Sequence, residues 1–288
     1  MEKEKTMLPE DYQFNLSDFA FFLSVMKNPK AYRNVLSIIM EEDDIQLTEV
    51  KVEQVILNKS GKRAIRLDAW AKSADHRQFN MEMQNDTKSD DVRKRSRFYQ
   101  GLIDTPILKS GKETKYKMLP STVIIFITQE DIFGKDLAKY TFTEQCEEVA
   151  NLKLEDGTTK IFLNMTSKNG TPELVSVLQY MKETNINNPE IIVKDSRIIE
   201  LDMIVNEVRE SEEWEGVKMN ILEIGKEIGK EIGKEIGKEQ ELQRGIKNSV
   251  KLCKGFGLTK EETIVKIKEL FEGNEVNIKE DVDKYWEE

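Results

Sequence analysis

Apolar residues recur at helical spacing from Leu16 to Met40, with Phe19, Phe22, Leu23 and Met26 followed by Val35, Leu36, Ile38 and Ile39. The Asn28-Pro29 pair divides this stretch into two helices, because a residue before proline is pushed out of the helical region. Residues 1–11 are polar and read as a frayed start, and Asp43-Asp44 ends the helical part. The period then drops to two, the mark of strands. Glu49–Leu57 forms the first, and Asn58-Lys59-Ser60-Gly61 is a turn into the second, Arg66–Ala71. A third follows at Phe79–Gln84, where Asn80, Glu82 and Gln84 share one face and Phe79, Met81 and Met83 the other. The polar link Lys72–Arg77 is short enough to predict an antiparallel hairpin.

Helical spacing returns between Asp90 and Leu108, with Val92, Phe98, Tyr99, Leu102 and Ile103 placed inward and Arg93, Lys94 and Arg97 outward. Ser121–Thr128 is apolar and β-branched, as in a central strand buried on both faces. Strands are also predicted near Tyr140–Cys146 and Lys160–Met165, with Asp156-Gly157 as a turn between them. Thr171 is placed to cap a helix opened by Pro172 and running through Lys182, and a last helix covers Ile198–Glu213. Helix, three strands, helix, strand is the order of an α/β core with a mixed sheet. The expected organisation is a domain over residues 1–214, a repeat segment over 215–240 and a small helical segment over 241–288.

In the repeat segment Glu-Ile-Gly-Lys recurs, placing Ile224, Ile228, Ile232 and Ile236 four residues apart. On an α-helix that step overshoots a full turn by about 40°, so the apolar stripe winds around the axis. Each Gly costs about 1 kcal/mol relative to Ala, more than a neighbouring Glu–Lys pair returns. Either a partner chain packs on this helix or the segment is a length-tolerant linker. Beyond it, Ile246–Lys254 and Lys260–Phe271 are amphipathic, with Thr259 and Glu262 spaced as a capping box. A helix-turn-helix reading is opposed by the acids there, Glu261, Glu262, Glu269, Glu272 and Glu275, which suit a duplex poorly. Self-association or packing is the better role.

Charge and composition narrow the chemistry. The net charge is −10 with 34% charged residues, so any polyanion contact must be a local basic face. Cys146 and Cys253 are far apart and have no histidine cluster beside them, which supports neither a zinc site nor a disulfide framework. There is no apolar run near membrane-spanning length and no signal-peptide layout, so the expectation is a cytoplasmic protein without a membrane partner. No Gly-rich phosphate loop follows a strand. His76, the single histidine, lies in the hairpin turn and reads as an exposed turn residue.

The hairpin carries the distinctive chemistry. Antiparallel pairing brings opposite residues to roughly 5 Å, which can set the carboxylates of Asp68 and Glu82 side by side. Two such acids repel unless one stays protonated or a cation lies between them, and Mg²⁺ (or Mn²⁺) is a common solution. The bland alternative is a pair of solvent-side residues on a half-exposed hairpin. Glu53, Asp43 or Asp44 is placed to supplement a metal shell. Lys88, Arg93, Lys94 and Arg97 are either phosphate anchors or a solvated face paired with Asp90 and Asp91. Tyr99 either aims its hydroxyl at the site or packs with Phe98, and Gln100 either lines a cleft or faces solvent.

Ser17–Phe21, Arg66-Leu67-Asp68, Asn80-Met81-Glu82-Met83-Gln84 and Arg97-Phe98-Tyr99-Gln100-Gly101-Leu102-Ile103-Asp104 together resemble the PD-(D/E)XK nuclease family transposases, or recombination-promoting nucleases, from about Tyr12 to about Trp214. The resemblance implies a restriction-endonuclease-like α/β core with a mixed central sheet flanked by helices, followed here by a helical C-terminal tail. It implies a Mg²⁺-dependent DNA endonuclease linked to recombination or mobile elements in a bacterial cell, nucleoid-associated when bound to DNA. Asp68 and Glu82 would be metal ligands, with the Met83 carbonyl as a third. Where the wider superfamily has Lys two residues after the Glu, this chain has Gln84, which can hold a water but brings no charge. The rival is a catalytically idle nuclease fold kept as a nucleic-acid-binding or assembly module, its tail setting copy number.

Overall fold

The computed structural model describes residues 12–56, 63–108, 114–271 and 277–287; the side chains at 228, 229, 232, 233, 235 and 236 are outside the description. The expectations for residues 1–11, for the Asn58–Gly61 turn and for Glu272 and Glu275 therefore fall outside the described residues. The chain divides into two compact units, one of them Gln13–Lys218 and the other built from Met219–Glu288.

The first unit opens with helices α1 (Phe19–Met26) and α2 (Pro29–Met40). Asn28 separates them as the cap of α2, its Oδ1 accepting from the backbone N–H of Lys30 at 2.9 Å and of Ala31 at 3.4 Å. Pro29 takes the first helical position, where a missing N–H costs nothing. Strands β1 (Leu47–Ile56), β2 (Ile65–Ser73) and β3 (Gln78–Gln84) follow, then helix α3 (Val92–Asp104) and a single 3₁₀ turn at Tyr116–Met118. Next come β4 (Thr122–Thr128), β5 (Lys139–Phe142), β6 (Thr158–Asn164), α4 (Pro172–Lys182) and α5 (Ser196–Arg209).

The strands form one six-stranded mixed sheet in the order β1-β2-β3-β4-β6-β5. Pairing is antiparallel from β1 to β3, parallel from β3 through β4 to β6, and antiparallel again at β5. All seven residues of β4 are buried, as its unbroken apolar run predicted. The cluster under α3 joins Val92, Tyr99, Leu102 and Ile103 to Ile65, Leu67, Ile124, Phe126 and Phe162 of the sheet. Phe126 and Phe162 stack at 5.7 Å between ring centroids. Phe98, expected inward, is 40% exposed; the inward stripe passes through its neighbour Tyr99 instead.

Two boundaries differ from the sequence reading. Strand β5 ends at Phe142, with an isolated bridge of Gln145 to Lys153 beyond it, and the link to β6 runs through residues 143–157 rather than a tight hairpin. Asp156-Gly157 closes that link, with Gly157 at φ 82° and the Asp156 carboxylate accepting from Thr158 N at 3.0 Å. Helix α5 stops at Arg209, and a new helix, α6, starts at Glu212 and continues unbroken to Gly255. Trp214 on its first turn is held in the first unit by Phe14 and Phe21, with ring centroids at 5.2 and 4.7 Å.

The Glu-Ile-Gly-Lys repeat is thus helical and part of a 44-residue helix. In the second unit the end of α6 packs with α7 (Lys260–Leu270) and α8 (Ile278–Trp286) around Ile246, Val250, Ile267, Ile278, Val282 and Tyr285. The Thr259–Glu262 capping box forms as its spacing predicted.

Candidate active site

The hairpin of β2 and β3 pairs Ala69 with Met81 and Trp70 with Asn80, a register that continues to Asp68 opposite Glu82. The two acids are laced into each other's strands. Asp68 N donates to Glu82 Oε1 at 3.0 Å, and Met83 N donates to Asp68 Oδ2 at 3.1 Å. Asn80 Nδ2 adds a second donor to Glu82 Oε1 at 2.8 Å. These anchors engage Asp68 Oδ2 and Glu82 Oε1; the second oxygen of Glu82, Oε2, lies 3.4 Å from Arg95 Nη2.

Burial is nearly complete, with Asp68 5% and Glu82 0% exposed, which rules out the half-exposed solvent-side reading. Loss of hydration is the main cause that raises Asp68 to about 6. Loss of hydration and then repulsion from Asp68 raise Glu82 to about 8. Behind them the Tyr32 hydroxyl, buried on α2, lies 3.3 Å from the Ala69 carbonyl and 3.2 Å from that of Phe79, tying helix to hairpin.

The sequence reading missed a residue that the structure places in the centre: Arg95. Its Nη1 donates to Gln84 Oε1 at 2.7 Å and its Nη2 lies 3.4 Å from Glu82 Oε2. Nε and Nη2 both donate to the Tyr99 hydroxyl, at 2.9 and 2.8 Å. The guanidinium also sits 5.1 Å from the Tyr99 ring centroid and 5.8 Å from that of Phe126. A signal was available. Arg95 lies three residues after Val92 and four before Tyr99, so it belongs to the inward stripe of α3 and not to the outward basic face.

Gln84 is at the site, its Oε1 accepting from Arg95 and one of its two Nε2 N–H groups donating to the Asp86 carbonyl. The Tyr99 ring lies 6.2 Å from Phe126, the packing partner in place of the expected Phe98, and its hydroxyl accepts from Arg95. Glu53 faces Asp68 across the β1–β2 register, where its charge pushes the Asp68 pKa up, but its side chain is half exposed and paired with Arg66 at 3.2 Å. Its φ of 52° is a left-handed conformation unusual for Glu inside a strand.

Lys88, Arg93, Lys94 and Arg97 are exposed at the start and outer face of α3. Lys88 pairs with Glu130 at 3.2 Å, while Arg93 and Lys94 pair with Asp91 at 3.5 and 3.8 Å. Gln100 is turned toward Asp104, donating at 3.0 Å, with its Oε1 buried and unpartnered. Asp43 pairs with Arg197 at 2.7 Å, which commits it to α5. His76 is an exposed turn residue, as expected.

The family model for PD-(D/E)XK nuclease family transposases matches residues 15–182, more than half of the chain. The chain belongs to this family. Its mixed sheet and flanking helices are accordingly a restriction-endonuclease-like α/β fold, and family membership makes it a nuclease-family protein linked to mobile elements. No curated protein and no solved structure matches it. No described helix is long and apolar enough to cross a membrane.

Among the described residues no three His, Cys, Asp or Glu side chains gather as a metal set. The donors present are two carboxylates and the main chain. They nonetheless suit a hard divalent cation, because two buried acids with raised pKa values gain most from a positive charge placed between them.

Proposed function

We propose that this protein is a Mg²⁺- or Mn²⁺-dependent endonuclease that hydrolyses DNA phosphodiester bonds during recombination or mobile-element movement in a bacterial cytoplasm. The observation that carries the reading is the convergence of Asp68 and Glu82, buried and cross-anchored at facing positions of the hairpin. Asp68, Glu82 and the Met83 carbonyl would hold the ion, which when bound supplies Lewis-acid charge and a lower pKa for water. Gln84 orients the attacking water, whose oxygen adds to phosphorus as one P–O ester bond breaks and a proton passes to the leaving oxygen. Lys88, Arg93, Lys94 and Arg97 hold the flanking backbone without reading sequence. Lys88, Arg93 and Lys94 exchange their partners Glu130 and Asp91 for phosphates at little cost, since ion pairs in contact with solvent are weak. Glu53, Tyr99 and Gln100 support from the edges.

In the same reading the helical tail brings copies of the chain together. The rival, an idle nuclease fold that binds nucleic acid, draws on one observation: Arg95 already faces Glu82 and offsets part of its charge. Plasmid cleavage separates the two. Supercoiled DNA is expected to be nicked with Mg²⁺ or Mn²⁺ and left intact with chelator, and both Asp68→Ala and Glu82→Ala are expected to abolish the activity. Mn²⁺ binding without cleavage would favour the idle module.

A further inference from the structure

We infer that Arg95 is a positioning residue for the cleavage reaction, supplying from α3 the positive charge that the Glu-x-Gln motif omits. The inference rests on the nuclease reading above. The charges in the site are unbalanced. Asp68, Glu82 and an incoming phosphate are three anions, and Gln84, the side chain two residues after Glu82, is neutral. Arg95 is the cation that reaches this place, bonding Gln84 Oε1 at 2.7 Å and approaching Glu82 Oε2 to 3.4 Å. A guanidinium stays charged at every working pH, so this charge is permanent.

The guanidinium is also fixed in place. Nε and Nη2 grip the Tyr99 hydroxyl, and the Tyr99 and Phe126 rings lie against it. Its bond to Gln84 Oε1 decides the orientation of that amide, turning Nε2 to the Asp86 carbonyl. Gln84 thus presents a set geometry to water because Arg95 holds its oxygen. Of the five guanidinium N–H groups, these contacts engage four, which leaves one on Nη1 beside Gln84. Its side chain is 25% exposed, so the guanidinium arm is not sealed off from solvent as Glu82 is. The arrangement differs from the exposed Arg93, Lys94 and Arg97, whose neighbours are surface acids and solvent.

The test is a cycle of full-length variants: wild type, Arg95→Lys, Arg95→Met, Gln84→Lys, and Arg95→Met combined with Gln84→Lys. Mn²⁺-dependent cleavage is read as kcat and KM, and Mn²⁺ binding by calorimetry. Arg95→Met is expected to lower kcat by roughly 10- to 100-fold while KM for DNA and Mn²⁺ binding are retained. Arg95→Lys keeps more of the rate, because the charge remains. The decisive variant is the double: a lysine at position 84 restores the charge from β3, so it should cleave about tenfold faster than Arg95→Met alone. A prop that merely filled space would not be rescued by that lysine.

Cleavage by Arg95→Met within about threefold of wild type overturns the assignment. So does a double variant no faster than the single, a loss confined to KM, or a loss of Mn²⁺ binding together with cleavage. If the wild type neither cuts DNA nor binds Mn²⁺, both this inference and the nuclease reading fall; if the wild type cuts and only the Arg95 pattern fails, the nuclease reading stands.

Discussion

Asp68 and Glu82 differ from surface acids in what they do to stability. Their folded pKa values, about 6 and about 8, lie above the ordinary 3.8 and 4.5, so across that window the folded chain holds more protons than the unfolded one. Stability then falls as pH rises through the window and is highest below it. Without metal, the melting temperature should drop between pH 5 and pH 8 by an amount that shrinks in Glu82→Gln; an unchanged slope would remove the electrostatic account of the pair. Added Mn²⁺ should raise the melting temperature more at pH 8 than at pH 5, because only the ionised pair holds it. Asn80 acts on the same acid. It is fully buried and one of two donors to Glu82 Oε1. Asn80→Ala is expected to weaken Mn²⁺ binding by roughly 10- to 100-fold, measured by calorimetry, while a change below about twofold would make it a packing residue only.

At the scale of elements, the site is a hairpin pressed between two helices. Helix α3 contributes Arg95 and Tyr99, and its inward stripe rests on Phe126 of β4. Phe126→Ala should cost about 3–5 kcal/mol in chemical denaturation and loosen the Tyr99–Arg95 pair with it. Helix α2 backs the hairpin through Tyr32, and its start is set by Asn28. Loss of that cap in Asn28→Ala should cost about 1 kcal/mol, a modest shift in denaturation midpoint with cleavage preserved. The hairpin, β4, α2 and α4 were legible because their periods and caps are local. The end of β5 and the stop of α5 were not, since each depends on what the neighbouring segment offers for pairing. Glu210 and Ser211 carry no proline or glycine to announce a break, yet Ser211 Oγ accepts from Trp214 N at 3.2 Å and begins a new helix there.

For the whole molecule, the two units have separate cores, and α6 carries the chain from one to the other. A chain ending at Lys218 retains Trp214 against Phe14 and Phe21, so it is expected to fold and to keep Mn²⁺-dependent cleavage. Sedimentation should then show the full-length chain as an assembly and the shortened chain as a monomer; equal sedimentation would leave the repeat as a spacer. The repeat places Gly225 and Gly237 in this helix, where an added Cβ would meet nothing within 4 Å. These two glycines therefore weaken the isolated helix without relieving any clash, and assembly would have to offset that cost.

The sequence alone determined the alternation that makes β2 and β3 a hairpin, the facing of Asp68 and Glu82 that follows from a short link, and the family these residues belong to. Those are properties of local period and register, which a one-dimensional pattern carries in full. The tertiary structure decided how deeply the acids are buried, which oxygen of each is anchored, and that Arg95, rather than the basic residues around it, reaches them. Those facts depend on α3 crossing the sheet at one place and angle, and that placement is set by packing between segments far apart in the chain.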